Sequence, residues 1–165
     1  ARMLEAAKAR IGDAADPVDP HAGHDHGPTG GHAHPSPKPL AYAGSAACAG
    51  CHPGPTAQWA STPHASAWAS LVEEQRERDL DCWTCHATGA EKEGGPQHPS
   101  EVTPALQGVG CESCHGPGAA HVQAPTEHEM VKSPPLATCV ECHDGEQDEG
   151  RFNPDTYWPK VVHSP

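Results

Sequence analysis

Aromatic side chains are scarce in this chain of 165 residues, which has four Trp, two Tyr and one Phe, 4 % of the whole. A domain of that length with so few rings cannot fill an ordinary core from its own side chains. Long apolar runs are missing too, and none approaches the roughly 20 residues that a membrane-crossing helix needs, so no membrane span is expected. Nor does an apolar signal segment precede the first motif, and residue 1 is Ala rather than a lipid-bearing Cys. The chain therefore reads as a mature exported protein, extracellular or periplasmic, whose signal has been removed. Basic residues are outnumbered, with 10 Lys and Arg against 22 Asp and Glu for a formal charge of −12, which argues against a nucleic-acid partner. Alternating patterns of the kind that mark strands are rare, so little or no sheet is expected.

What the chain has in quantity is Pro (19), Gly (17), His (14) and Cys (8). The eight cysteines form four C-x-x-C pairs, each followed at once by His: Cys48, Cys51, His52; Cys82, Cys85, His86; Cys111, Cys114, His115; and Cys139, Cys142, His143. In C-x-x-C-H the two thiols reach the two vinyl groups of one haem while the adjacent imidazole reaches its iron. Four haem c groups are therefore expected, with those four histidines as proximal ligands. Large apolar cofactors would also supply the core that the side chains lack.

Zinc and disulfides are the bland alternatives. Zinc ribbons also use C-x-x-C, but they need two pairs per metal and give no reason for His after every pair. With His at roughly one residue in sixteen elsewhere, four such coincidences have a chance on the order of one in 10⁵. Closely spaced cysteines of this kind serve redox or metal chemistry more often than structural loops.

Each iron also needs a distal ligand, and ten histidines remain. Thr62 and Pro63 read as the N-cap and first residue of a helix running to about Gln75, with His64, Trp68, Leu71 and Val72 on one face. His64 then shares the apolar face on which a haem would pack. His121 follows a Gly116-Pro117-Gly118 turn that can fold the chain back toward a neighbouring haem. His163 ends an aromatic tail, Phe152 through Tyr157-Trp158-Pro159, suited to sealing a haem edge. For the fourth distal position the sequence offers His98, His128, one of the leader histidines His21, His24, His26, His32 and His34, or none. Met130 is a further thioether, read as gap filling rather than as a ligand. The acidic segments from Glu73 to Asp81 and from Asp144 to Glu149 suit docking of a basic redox partner, although charge runs are mostly solvated surface.

These residues resemble a known family. Ala41-Tyr42-Ala43-Gly44-Ser45, Trp59 through His64-Ala65, Cys82-Trp83-Thr84-Cys85-His86-Ala87-Thr88-Gly89, and Gly108 through Gly118 with its Cys-Glu-Ser-Cys-His are similar to the tetrahaem c-type cytochromes typified by the electron acceptor of nitrifier hydroxylamine oxidation. The resemblance covers about residues 41 to 165. It implies closely packed haem pairs, mostly bis-His irons, and His64, His121 and His163 as distal ligands. It also implies that one haem can lack a protein ligand. The expected fold is mainly α with low regular secondary structure, loops and short helices wrapped around four haems.

Residues 1–40 depart from that pattern. A possible short helix with Leu4, Ala7 and Ile11 on one side gives way to a His, Gly and Pro tract that reads as a leader. Its five histidines match tracts that bind zinc, copper or nickel. A polar leader has too little apolar surface to order itself, so a neighbouring copy is the expected support. With the fourth ligand unassigned, this raises a head-to-tail filament with a continuous haem chain, resembling known tetrahaem extracellular filaments. Three readings follow: a filament subunit, a soluble periplasmic shuttle, and an open-haem enzyme. Electron transfer without catalysis is the plain one.

Overall fold

The computed structural model describes residues 41–163. The leader, its histidines and the short helix expected there lie outside the described residues. Seven short α-helices follow one another: α1 (Pro53–Ala60), α2 (Ala67–Glu73), α3 (Trp83–His86), α4 (Cys111–His115), α5 (Ala119–Gln123), α6 (Leu136–Cys139) and α7 (Pro154–Val161). Three 3₁₀ turns, Ser45–Cys48, Pro99–Glu101 and Pro104–Leu106, complete the regular structure. Among the described residues the only sheet-like pairing is the isolated bridging of Ala87 to Gln107 and Gly108. The mainly helical, loop-rich architecture is the expected one. No helix among the described residues is long and apolar enough to cross a membrane.

Proline sets several helix starts. Pro53 and Pro154 occupy first-turn positions, where the missing N–H costs nothing. Asn153 caps α7 by accepting from Asp155 N–H at 2.9 Å.

The helix expected from Pro63 begins instead at Ala67, and residues 61–66 form turns. Thr62 does not cap forward. Its N–H and its hydroxyl both donate back to Trp59 O, at 2.9 and 2.7 Å, and so finish α1. The other end falls where expected: Gln75 adopts φ 57, and its N–H and that of Arg76 close on Val72 O and Leu71 O in a Schellman arrangement.

The side-chain core is small. Trp68, Leu71, Trp83, Ala87 and Ala90 form one buried cluster, with Cys82 and Val102 packed on it. Trp68 and Leu71 thus face inward from α2 as their spacing predicts, whereas Val72 is half exposed.

Around that cluster buried polar groups lash distant segments together. The Glu112 carboxylate, buried at 3 % exposure, accepts from the N–H groups of Ala43, Gly44 and Gly118 at 2.8, 2.7 and 2.6 Å. Thr88 donates its hydroxyl to Gly108 O and accepts from Gly110 N–H, both at 2.9 Å. Ser45 Oγ accepts from Cys111 N–H at 3.1 Å. Gly110 is required here by space, because a Cβ would stand 2.5 Å from Ser45 Oγ and 2.7 Å from Thr88 Oγ1. The chain before the first Cys-x-x-Cys-His motif is thereby fastened to the third.

Candidate haem-attachment sites

Each motif is wound into about one helical turn, which carries both thiols and the following imidazole. At the first and fourth motifs the His N–H bonds to the first Cys carbonyl, His52 to Cys48 and His143 to Cys139, each at 2.9 Å. α3 holds the end of the second motif, α4 all of the third, and α6 the start of the fourth. None of the eight cysteines is in a disulfide, and all but the exposed Cys51 are partly buried. Among the described residues no three His, Cys, Asp or Glu side chains converge as a bare metal ion would require.

The thiols also show which sites adjoin. Burial first, and then the neighbouring Cys111, push the Cys48 thiol up to about 11. Cys85 is lowered to about 6 chiefly by the neighbouring Cys142, whose own thiol is raised by Cys85 and by burial. Cys114 is raised by burial and then by Cys139 and Cys111. Site one therefore lies against site three, three against four, and four against two.

The proximal imidazoles are oriented through Nδ1. His86 Nδ1 donates to Ala67 O at 2.6 Å and His115 Nδ1 to Val131 O at 2.5 Å, which leaves Nε2 of each as the available lone pair. His143 Nδ1 faces Asp148 Oδ2 at 3.5 Å, and its ring is stacked on Phe152 with centres 4.6 Å apart and is met edge-on by Tyr157. The tail aromatics Phe152 and Tyr157 thus cover the fourth site, while Trp158 is 43 % exposed. His52 stands exposed at the start of α1.

Two of the expected distal histidines face proximal ones. An imidazole nitrogen lies about 2.0–2.1 Å from a metal it binds, so rings on opposite sides of one ion have centres roughly 6 Å apart. His64 and His143 have ring centres 6.2 Å apart, and His115 and His163 have theirs 5.7 Å apart. Burial, and then His143, hold His64 below the usual histidine range, which favours the neutral ligating form. His121 Nδ1 donates to His128 O at 2.7 Å, the same orientation the proximal rings show. His128 itself is exposed and contributes its carbonyl. His98 is exposed and occupied as a cap, its Nδ1 accepting from Ser100 N–H at 3.2 Å. The end of the Met130 side chain lies beside Gly118.

These residues fit four haem c groups. Val131, Leu136, Val140, Trp158 and Val162 are left exposed along the segments bearing sites three and four, where a porphyrin would cover apolar surface. The buried Trp83 indole N–H has no acceptor among the described residues. Sequence reasoning did not single out Glu112, Asp148 or Gln58. Their roles depend on partners that only the folded chain supplies, although Glu112 stands within the third motif.

The chain is similar to known proteins in three respects. Residues 47–116 match the family described as cytochrome c554 and c-prime. A 92-residue alignment shows 36 % identity to cytochrome c-554 of Nitrosomonas europaea, covering 47 % of this chain and 39 % of that protein. The chain thus matches well under half the length of this relative. The structure of reduced cytochrome c554 from Nitrosomonas europaea superposes with a TM-score of 0.48 at 23 % identity, over 76 % of this chain and 80 % of that one. The segment 47–116, with three attachment motifs and His64, carries the pattern of the cytochrome c554 and c-prime family.

Proposed function

We propose that this chain is an electron carrier, a c-type cytochrome with four haem c groups. The observation that carries this reading is the pairing of His64 with His143 and of His115 with His163 at the separation of two ligands on one iron. Cys48 and Cys51, Cys82 and Cys85, Cys111 and Cys114, and Cys139 and Cys142 hold the rings, and His52, His86, His115 and His143 are the proximal ligands. Bound haem supplies one-electron iron chemistry. The polypeptide orients the imidazoles through Ala67 O, Val131 O and Asp148, brings the four sites into contact, and sets solvent access.

His121 is the third distal ligand in this reading, because its Nδ1–H is already committed to a carbonyl and its Nε2 is not. The fourth comes from His98, His128 or the leader, or that iron is open. The cap at His98 and the exposure of His128 weigh against both. Setting is part of the same proposal: an exported carrier, periplasmic or extracellular, exchanging electrons with protein partners through its acidic surface. The test is electron paramagnetic resonance of the oxidised holoprotein. His64→Ala and His163→Ala should each convert one low-spin haem to high spin, and two silent variants would remove the pairing.

The filament is a second reading. It is favoured by the fourth distal position, which the described residues leave unassigned and which a neighbouring copy would fill. Its other premise, a leader held by that copy, concerns residues outside those described. Cryo-electron micrographs of the native protein decide it: fibres support the filament, and discrete particles leave the shuttle. Turnover of a small molecule at an open iron would instead make the protein an enzyme.

A further inference from the structure

Two adjacent residues of α1 hold the two distal histidines that face proximal partners. Trp59 donates its indole N–H to Val109 O at 2.8 Å, and Val109 N–H donates to His64 O at 2.9 Å. Gln58 reaches the other way. Its Nε2 donates to Val162 O at 2.8 Å and more loosely to Lys160 O at 3.4 Å.

Val162 immediately precedes His163, and it follows α7, whose last carbonyls have no partner within the helix. α7 has no buried residue, and Pro159 lies inside it. The ring contacts of Phe152 and Tyr157 with His143 hold the first part of this segment to the fourth site. The Gln58 amide acts at the other end, beside His163. It joins positions 104 residues apart in sequence.

We propose that Gln58 is a positioning residue for His163, and that its grip on Val162 sets how readily the third-site iron opens to a small neutral diatomic ligand such as carbon monoxide. The inference rests on the reading of His115 and His163 as one axial pair. When His163 is withdrawn, its lone pair leaves the iron and that of the diatomic molecule takes its place, with no net redox change. A site open for only a fraction of the time binds with an affinity reduced by that fraction. Loss of one exposed hydrogen bond should therefore raise the open fraction roughly two- to tenfold.

The experiment is a carbon monoxide titration of the reduced four-haem protein, followed in the Soret band. His163→Ala opens the third site fully and identifies its spectrum. Gln58→Ala should tighten carbon monoxide binding at that site by roughly two- to tenfold while the low-spin signals of the other haems stay unchanged. Gln58→Glu, which keeps the shape and cannot donate to a carbonyl, should do at least as much. Lys92→Ala, a change to a surface ion pair, should have no effect. Unchanged affinity in both Gln58 variants, or tightening at a different haem, would overturn the inference even if His163→Ala opens a site. If His163→Ala opens none, the axial pair fails first and the role of Gln58 falls with it.

Discussion

Residues 41–118 and residues 119–163 are built in different ways. The first stretch contains the buried cluster of Trp68, Leu71, Trp83, Ala87 and Ala90 and the polar lashings at Glu112, Thr88 and Ser45. In the second, α5, α6 and α7 contain no buried residue, and Leu136, Val140, Trp158 and Val162 stand about half exposed. The earlier region makes a core from its own side chains. The later one presents apolar surface and imidazoles to something the sequence does not encode, which is what haem attachment requires of it. The segment that matches the family model, 47–116, falls within the self-packed part.

Substitutions should therefore act unequally in the two regions. Trp83→Ala, at a residue 1 % exposed, should have the largest effect, a loss of about 3–5 kcal/mol seen as a large fall in thermal midpoint. Next is Glu112→Ala, which strands three backbone donors and should cost about 3 kcal/mol or more in chemical denaturation. Gly110→Ala forces a methyl onto Ser45 and Thr88 and should cost about 1–3 kcal/mol in the same assay. Asn153→Ala removes only the cap of α7; about 1 kcal/mol is expected, with hydrogen exchange faster in that helix alone. A loss from Asn153→Ala as large as that from Trp83→Ala would break the contrast. A purely local effect would sharpen it.

The attachment sites were legible because their chemistry is local, with two thiols and an imidazole at fixed spacing within five residues. His64 and His163 were legible as candidates, and the rings they face required the fold. The start of α2 was misplaced because Thr62-Pro63 carries a good helix-start signal, yet the Thr62 hydroxyl and N–H are drawn to Trp59 O at the end of α1. Glu112 stands within the third motif, but its role is not local, since its three donors come from positions 43, 44 and 118. Gln58 carries no sequence signal, because its partners lie about a hundred residues away.

The most direct test of four covalent haems is the intact mass of the native protein, measured after denaturation and treatment with a strong chelator. The chain mass plus four haems, with no thiol left to alkylate, is the predicted result. A bare chain with eight reactive thiols, or one that lost zinc to the chelator, would contradict it.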